Sequence, residues 1–590
     1  MKLTGWIFTV LISVLMCAFL ELNHHTILGW LLFAAAAGVM VFCIGKYMET
    51  WTWLKRGLSV LGYLALCLCI LFVSWPPVRR VPASESRNSK RTDVYETAYG
   101  DVRGVVLDSG VELFAGIPYA APPVGELRWR KPQDPEPWSS VLECDTFAPM
   151  SMQVQNLPFM GSMARIIGYH DYRISLHDNY REANSEDSLY LNIWKPAGTV
   201  EKAPVAVYIH GGSLQTGQPW YADYSGEGFA KDGVITVNMG YRLGVFGFLA
   251  AEEMLEEEGT AGNFGLLDQI KALEWVRDNI AYFGGDPDNV TVIGESAGAV
   301  CVDALCVSPL AKGLFRRAIL ESSTVSSPEP PHSYRLFDAA LASGNALMER
   351  YGCSSLEELR ELPAEAIVSE QESQHHITID GYVLPDTPYH LRKQGIHNEE
   401  AVIHGFNKEE SGPFIIFNHA KLNDYEGRIR RWFGSYADEV LALYHPETDA
   451  EADEYWARIY GVMFFNYSHY CLDRLEKENG VPSWEYLFSM NNGRLGSWHS
   501  GEMVYTFGMI PEDSKLYTDA DRDISKMMHG YWTNFIRAGE PNDQALQAFE
   551  QSEDSSTLLE FGNNFGMIKD PELELYGILD RMYGWNTGNE

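Results

Sequence analysis

The chain is 590 residues long, with 45 basic and 80 acidic side chains and a net charge of −35. This length, with 46% hydrophobic residues, suffices for one large core or several ordinary ones. Residues 1–75 hold four basic and two acidic residues, so the remainder, with 41 basic and 78 acidic residues, carries −37. Such a surface repels nucleic acid and anionic lipid headgroups, which excludes a nucleic-acid-binding protein and requires another source for any membrane attachment.

Three apolar runs without charged residues open the chain: Leu3–Leu20, Ile27–Gly45 and Gly57–Trp75, with 18, 19 and 19 residues. Each lies within the roughly 17–25 residues that cross a bilayer as a helix. We therefore predict three transmembrane helices (3–20, 27–45 and 57–75) and a multi-pass membrane protein. A cleaved signal peptide is the alternative for the first run, because Lys2 precedes it.

The basic residues around these runs leave the side of the membrane open. Lys46, Lys55 and Arg56 lie between the second and third runs, and five basic residues follow the third. The positive-inside rule therefore points in both directions. An odd number of spans places the C-terminal part opposite the N-terminus, and we expect it on the extracytoplasmic side.

Residues 76–94 are rich in Pro, Ser and charge without periodicity, which predicts a linker. Residues 95–590 contain no comparable break and are predicted to form one domain. Short β-rich runs such as Pro204–Ile209 and Gly233–Asn238 alternate with amphipathic stretches such as Leu266–Ile280. This alternation predicts an α/β fold with a largely parallel central sheet, in which functional sites gather at the C-terminal ends of strands.

Cysteine spacing indicates neither a disulfide framework nor a metal site. Four of the nine cysteines lie in the apolar runs, and the other five are an odd number without paired spacing. We expect no metal and no cofactor, and the sequence leaves the oligomeric state open.

The apolar strand Val205–Ile209 runs directly into His210-Gly211-Gly212-Ser213. Backbone N–H groups of a glycine-rich loop in this place can stabilise a developing oxyanion. His210 itself is interpreted as a loop-shaping residue rather than a catalytic base, since two glycines follow it directly.

The segment Gly294-Glu295-Ser296-Ala297-Gly298 follows the apolar run Val290–Ile293 and opens a helix-compatible run, Ala299–Val307. In a strand–turn–helix of the form G-x-S-x-G, the glycines allow close packing while the strained turn exposes the serine hydroxyl. Ser296 is the predicted nucleophile. Chance gives this pattern about 0.2 times in a chain of this length, so its partners are needed.

A nucleophilic serine requires a base, a group that orients the base, and donors for the oxyanion. The predicted donors are the N–H groups of Gly212, Ser213 and Ala297. Folds with this turn keep the chain order Ser, then Asp or Glu, then His. Spacing alone does not choose among the downstream acids and histidines.

An ordered series of motifs extends through the C-terminal domain: Phe114–Gly125, Leu127–Trp129, Ser185–Asn192, Asn238–Gly244, Gly262–Gln269 and Phe283–Pro287. Over essentially all of residues 95–590 the chain resembles the type-B carboxylesterase and cholinesterase family of α/β-hydrolases. The resemblance implies an α/β-hydrolase fold, with a large, mostly parallel sheet flanked by helices, and hydrolysis of small-molecule carboxylic esters.

The resemblance also implies the catalytic partners. The block Gly405–Glu410 matches the one that ends in the family's triad glutamate, Glu410, and Gly496–Glu502 matches the block that carries the triad histidine, His499. The order Ser296, Glu410, His499 agrees with the order that the fold requires.

Three departures from the family pattern stand out. Eukaryotic members carry bonded cysteines where Met152 and Ser188 stand, so the loop between them is not closed by a disulfide, as in bacterial members. Ser213 replaces a third glycine, which leaves the N–H in place and narrows the acyl side of the pocket. Ser323 also replaces a glycine, and the sequence offers no account of it. Methionines of the loop form an apolar lip over the active site or fill the core: Met150, Met152, Met160 and Met163.

The leading hypothesis is a membrane-anchored serine esterase that works through an acyl-enzyme. One alternative is an adhesion or scaffold protein that kept the fold and lost the chemistry. Another is a lipase that acts on membrane lipid esters with the same triad. Acyl and alcohol specificity are left open.

Overall fold

A computed structural model gives the structure of the chain. It divides by its internal contacts into two compact units, Met1–Val81 with Gln155–Ala183, and Pro82–Val154 with Asn184–Glu590. The segment 155–183, within the predicted C-terminal domain, thus groups with the N-terminal helices. The residues described are 2–47, 49–84, 89–155, 158–159, 162, 179–198, 200–328, 333–370 and 376–585.

Three helices form most of the first unit: Lys2–Leu22, Ile27–Tyr47 and Trp53–Val73. By length and composition the second and third could cross a membrane, whereas the first contributes a shorter apolar stretch, Trp6–Leu22. Among the described residues, two of the three predicted spans meet this test, and the first stays a prediction. A two-stranded parallel sheet, Val78–Arg79 with Arg181–Glu182, completes the unit.

The second unit is built on a 13-stranded sheet whose first strand begins at Arg91, within the predicted linker. In chain order its strands are β1 (Arg91–Tyr95), β2 (Val102–Val106), β3 (Glu112–Pro118), β4 (Leu142–Glu143), β5 (Tyr190–Lys195), β6 (Ala203–Ile209), β7 (Ile235–Met239), β8 (Gly285–Glu295), β9 (Arg317–Glu321), β10 (Ala401–Asn407), β11 (Ser483–Phe488), β12 (Thr557–Phe561) and β13 (Gly566–Lys569).

The spatial order of the sheet is β13-β12-β11-β10-β9-β8-β6-β7-β5-β3-β2-β1, and β4 pairs with β2. Neighbours from β7 to β12 run parallel. Neighbours at both ends of this order are antiparallel. The prediction of a parallel central sheet is confirmed for the centre, and the sheet as a whole is mixed.

Strand β6 shows why the centre is apolar along its whole length. Val205, Val207 and Ile209 belong to one buried cluster, and Ala206 and Tyr208 belong to a second. Alternate side chains of a strand point to opposite faces. Both faces of the sheet are therefore covered, as expected for parallel strands with helices on each side.

Helices supply that cover. Helices Phe264–Asn279 and Ala297–Val307 contribute to the first cluster, whereas Asp519–Ala538 contributes to the second. The other α-helices of the second unit are Glu227–Lys231, Gly244–Phe248, Glu252–Glu258, Phe337–Tyr351, Leu356–Arg360, Ala364–Ile367, Pro388–Lys393, Gly412–Ile415, Leu422–Phe433, Ala437–Leu443, Asp449–Gly461, Tyr467–Asn479, Met503–Thr506 and Leu573–Tyr583.

The parallel strands β6, β8, β10 and β11 end at one edge of the sheet, and each continues into a segment that carries a predicted site residue. Strand β6 leads to Gly212, β8 to Ser296, β10 to Glu410, and β11 to the loop that contains His499. The carboxyl ends of parallel strands share an edge of the sheet, so the topology brings these segments together.

Candidate active site

Ser296 occupies the sharp turn between β8 and helix Ala297–Val307, with φ 56° and ψ −129°. A Cβ on Gly298 would lie 2.0 Å from the carbonyl oxygen of Ile209, and one on Gly294 would lie 2.4 Å from the carbonyl carbon of Gly298. Both positions require glycine because strand and helix pass this closely. The strained backbone that the motif predicts at Ser296 is present.

His499 joins Ser296 to Glu410 by two hydrogen bonds. The distance from His499 Nε2 to Ser296 Oγ is 2.8 Å, and that from His499 Nδ1 to Glu410 Oε2 is 2.7 Å. A carboxylate only accepts hydrogen bonds, so Nδ1 carries the proton and Nε2 is left to accept from the serine. The structure brings these three predicted residues into one hydrogen-bonded chain.

The carboxylate of Glu410 is also fixed through its second oxygen, Oε1, which accepts a hydrogen bond of 2.7 Å from the N–H of Asn407. The neighbouring Glu409 binds the backbone of Ser497 instead. It exchanges two hydrogen bonds with Ser497, from its own N–H to Ser497 O (3.0 Å) and from Ser497 N–H to its Oε2 (3.1 Å). Glu409 thereby anchors the loop that carries His499.

The predicted oxyanion donors lie beside the nucleophile. A Cβ on Gly211 would be 2.8 Å from Ser296 Cβ, so the glycine loop is in contact with the serine. Within the described part of the chain, the N–H groups of Gly212, Ser213 and Ala297 donate to no acceptor. Ala297 is also the first residue of its helix, where an N–H lacks an intrahelical partner.

His210 takes no part in this chain of hydrogen bonds. Its Nδ1–H donates to the carbonyl oxygen of Gly211 at 2.8 Å, and its ring stacks on Tyr241 with centroids 4.7 Å apart. Burial lowers the pKa of His210 to about 4. The interpretation of His210 as a loop-shaping residue agrees with this geometry.

Two buried carboxylates next to the site were not singled out from the sequence. Glu295 Oε1 lies 3.5 Å from His499 Nε2 and accepts a 2.6 Å hydrogen bond from Ser500 Oγ. Glu502 accepts hydrogen bonds from Ser322 Oγ and Asn407 Nδ2. Both residues belong to the motifs of Ser296 and His499, but nothing in the residue types indicates that they face inward.

These acids set the electrostatics of the site. Burial alone lowers the pKa of His499, but the negative charges of Glu295 and Glu410 outweigh it and raise the pKa to about 9. Burial raises the pKa of Glu295, and burial with neighbouring carboxylates raises that of Glu502 to about 8. A proton on Glu295 weakens its attraction for the His499 imidazolium, so the titrations of these two residues are coupled.

A cavity of about 270 Å³ opens beside Ser296. One wall comes from a π-helical turn, Val462–Asn466, which lies between helices Asp449–Gly461 and Tyr467–Asn479. Such turns are frequent at functional sites. The residues that line the cavity are Ser213, Leu214, Ser296, Ala297, Val300, Ser323, Thr324, Ser333, Phe414, Tyr460, Phe464 and Phe465.

Other expectations can be compared with the structure. All nine cysteines are free thiols. Among the described residues, His, Cys, Asp and Glu side chains form no group of three or more that could hold a metal ion. The expectation of no metal stays a prediction. Met150 and Met152 are buried, which favours core filling, whereas Met160 and Met163 lie outside the described residues.

Comparisons with known proteins agree with this geometry. The model of the Carboxylesterase family matches residues 91–575. The chain is 31% identical to the fumonisin B1 esterase of Sphingopyxis macrogoltabida over 490 residues, which cover 80% of this chain and 87% of that protein. It is 29% identical to the para-nitrobenzyl esterase of Bacillus subtilis (strain 168) over 504 residues, which cover 82% of this chain and 97% of that protein.

A solved structure of PNB esterase is similar over 82% of this chain and 99% of that chain, with a TM-score of 0.69 and 28% sequence identity. This confirms the predicted α/β-hydrolase fold. The match to the family covers most of the chain, and its relatives are esterases of bacteria and animals. The protein therefore belongs to the carboxylesterase family and is a carboxylic ester hydrolase.

Proposed function

We propose that the protein is a membrane-anchored serine esterase in which Ser296 is the nucleophile, His499 the general base and Glu410 the residue that orients it. The observation that carries the proposal is the pair of hydrogen bonds, 2.8 Å and 2.7 Å, that links the three side chains. The three N–H groups beside Ser296 that have no acceptor among the described residues supply the remaining requirement, a place for the oxyanion.

In the first half-reaction, Ser296 Oγ attacks the ester carbonyl carbon while His499 Nε2 takes the hydroxyl proton. Negative charge develops on the carbonyl oxygen, where the N–H groups of Gly212, Ser213 and Ala297 stabilise it. The carbon–oxygen bond to the alcohol then breaks, and the proton on Nε2 passes to the leaving alcohol. An acyl-enzyme on Ser296 remains.

The second half-reaction repeats these steps with water as the nucleophile. His499 takes a proton from water, the hydroxide adds to the acyl carbon, and the proton returns to Ser296 as the acid is released. Throughout, Glu410 keeps the proton of the resting imidazole on Nδ1 and stabilises the imidazolium that forms.

Substitution of the nucleophile tests this assignment. Ser296→Ala should lower kcat for a short activated ester such as 4-nitrophenyl acetate by about 10⁴-fold or more, with the melting temperature unchanged within about 2 °C. A phosphonofluoridate probe should label the wild-type protein at Ser296, as peptide mass spectrometry would show. Turnover that persists in the variant, or a label at another residue, would refute the assignment.

We propose the division of the chain into a membrane anchor (1–75), a linker (76–94) and a catalytic domain (95–590). The anchor is supported by apolar side chains that are exposed on its helices, such as Leu31 at 64% and Phe72 at 86%. A helix that is apolar on its outer surface is suited to lipid rather than water. Proteolysis of the linker in intact cells, compared with permeabilised cells, tests the expected extracytoplasmic placement.

The lipase reading has one observation in its favour. Phe414 lines the cavity, and Ile416 and Phe417, two and three residues further along, are 38% and 101% exposed. However, the cavity, at about 270 Å³, lies below the usual range of roughly 300–1,000 Å³. We therefore favour short acyl and alcohol groups, and kcat/KM along a 4-nitrophenyl ester series should peak at short acyl chains.

A further inference from the structure

The cavity beside Ser296 is lined by both aromatic side chains and hydroxyl groups. Phe414, Phe464 and Phe465 supply the aromatic wall. Ser323, Thr324 and Ser333 supply the hydroxyls, and they belong to the segment that follows β9. Ser323 is the departure from the family pattern for which the sequence offered no account.

Two of these hydroxyls already have partners. Thr324 Oγ1 donates to the carbonyl oxygen of Phe464, and Ser333 Oγ donates to that of Thr324 at 3.1 Å. For the hydroxyl of Ser323, the described residues offer no hydrogen-bond partner, although only 2% of this residue is exposed. Since Ser323 lines the cavity, its hydroxyl is available to a bound ligand.

The backbone of Ser323 is fixed on both sides. Its N–H donates to His469 Nε2 at 3.4 Å, and its carbonyl oxygen accepts a 3.1 Å hydrogen bond from Ser468 Oγ. Ser468 Oγ also accepts a hydrogen bond of 3.1 Å from the N–H of Val325. Helix Tyr467–Asn479 thus fixes the backbone of Ser323 at the cavity wall.

We infer that Ser323 is a specificity-determining residue, which selects esters that carry a hydrogen-bonding oxygen in the group held by this cavity. The inference rests on the proposed function and names its substrate class: esters with an ether, hydroxyl or keto oxygen near the scissile carbonyl, in preference to alkyl esters of the same shape.

The physical reason is the cost of an unpaired hydroxyl. Water can satisfy the Ser323 hydroxyl in the free enzyme. An alkyl group that displaces this water leaves the hydroxyl unpaired, whereas an oxygen at the same place restores the hydrogen bond. Nearby aromatic side chains lower the local polarity and strengthen this difference. Sites that bind through hydrogen bonds discriminate against apolar analogues for this reason.

The oxygen can belong to the acid or to the alcohol of the ester, and two pairs of substrates distinguish these sources. The acyl pair is 4-nitrophenyl methoxyacetate and 4-nitrophenyl butanoate, which differ by an oxygen in place of a methylene. The alcohol pair is 2-methoxyethyl acetate and butyl acetate, followed by titration of released acid. For each pair, the measured quantity is kcat/KM of the ester with the additional oxygen divided by kcat/KM of the alkyl ester.

Ser323→Ala should reduce this ratio about tenfold in one pair, because the oxygen loses its partner while the alkyl ester no longer leaves a hydroxyl unpaired. Intrinsic reactivity of the esters cancels when the ratio in the variant is divided by that in the wild type. The matched comparison is Ser333→Ala, which removes a cavity hydroxyl that already donates to the carbonyl oxygen of Thr324, so its ratios should change less than those of Ser323→Ala.

A second variant, Ser323→Gly, removes the same hydroxyl and guards against misfolding of the alanine variant. A reduced ratio in the acyl pair assigns the oxygen to the acid, and one in the alcohol pair assigns it to the alcohol. Ratios that equal those of the wild type in both pairs would overturn the inference. Failure of the proposed function has a different signature, an inactive wild type or an active Ser296→Ala variant.

Discussion

The buried histidines near the cavity fall into two sets whose pKa values shift in opposite directions: His499 alone, and His404 with His469. His499 faces the carboxylates of Glu410 and Glu295, and its pKa is raised to about 9 despite burial. His404 and His469 face each other, with their Nδ1 atoms 3.2 Å apart. Burial, together with nearby positive charges, lowers the pKa of His404 to about 3, and burial lowers that of His469 well below its usual value.

Burial is common to both sets, so it does not decide the charge of a histidine here. The partners decide it, since carboxylates stabilise an imidazolium and a second imidazole does not. The N–H of Ser323 donates to His469 Nε2, which places the proton of His469 on Nδ1, from where it can bond to His404. His404 Nε2–H then donates to Ser483 Oγ at 2.9 Å. His499 is therefore suited to proton transfer, whereas His404 and His469 support the cavity wall at Ser323.

The largest test of this contrast removes the carboxylate partner of His499. Glu410→Gln should lower kcat by about 10⁴-fold, because an amide stabilises neither the required tautomer nor the imidazolium. The measurement is steady-state hydrolysis of 4-nitrophenyl acetate, with circular dichroism to verify folding.

The neighbouring acid provides the control. Glu409→Gln keeps an oxygen that can accept from the N–H of Ser497, so its activity should fall less than about tenfold. Equal losses in the two variants would mean that Glu410 acts only by holding the loop.

The second test is acid stability. In the unfolded chain a histidine has a pKa of about 6.5, so lowered folded-state values favour proton uptake by the unfolded chain between pH 6.5 and the folded pKa. The stability from neutral His404 and His469 is complete above about pH 6.5 and is lost as the pH falls. At pH 5 the loss is about 2 kcal/mol for His404, and His469 changes the stability in the same direction. His499, whose pKa is raised, contributes stability below pH 6.5 that is lost as the pH rises through about 9.

Melting temperatures of the detergent-solubilised full chain between pH 5 and 7 measure this effect. His404→Gln should lower the melting temperature at pH 7, because its hydrogen bonds to His469 and Ser483 are weakened. Its melting temperature should nevertheless depend less on pH than that of the wild type, since one of the two titrating groups is gone. An unchanged pH dependence would contradict the assignment of His404 as a buried neutral residue.

Much of this site could be predicted from the sequence. The other contacts join residues that are distant in the chain, which local patterns do not indicate. A strand, two glycines and a serine predict the turn at Ser296, because few other backbones accommodate that spacing. Glu410 and His499 came only from family resemblance, since they are 114 and 203 residues from Ser296 in the chain. The facing of His404 towards His469 depends on packing between β10 and helix Tyr467–Asn479, which no local pattern encodes.

The edges of the sheet and the membrane segment show the same limit. Alternation of strands and helices predicts the parallel centre. The antiparallel ends include hairpins between strands that are consecutive in the chain, such as β1 with β2 and β12 with β13, which that alternation does not describe. Apolar length predicts spans at 27–45 and 57–75, and the helices that overlap them, Ile27–Tyr47 and Trp53–Val73, are long and apolar enough to cross a membrane. Burial of Met150 and Met152 likewise depends on tertiary packing rather than on residue type.

The smallest expected effects concern the second carboxylate beside His499 and the serine that bonds to it. Glu295→Gln removes a negative charge 3.5 Å from Nε2 and should therefore lower the pKa of His499. Activity requires the neutral imidazole, so kcat/KM rises with pH through this pKa, and the acid limb should move to lower pH by about one unit or more. The pH profile of kcat/KM for 4-nitrophenyl acetate measures the shift.

Ser500→Ala gives an intermediate step in this series. Burial raises the pKa of Glu295, and the 2.6 Å hydrogen bond from Ser500 Oγ offsets part of that rise because it favours the charged form. Loss of that hydrogen bond leaves Glu295 protonated over a wider pH range, so less negative charge faces His499. The acid limb should then move in the same direction as in Glu295→Gln, but by a smaller amount. If the acid limb of either variant moved to higher pH, Glu295 would not raise the pKa of His499. Glu410 alone would then account for the difference between His499 and the neutral histidines His404 and His469.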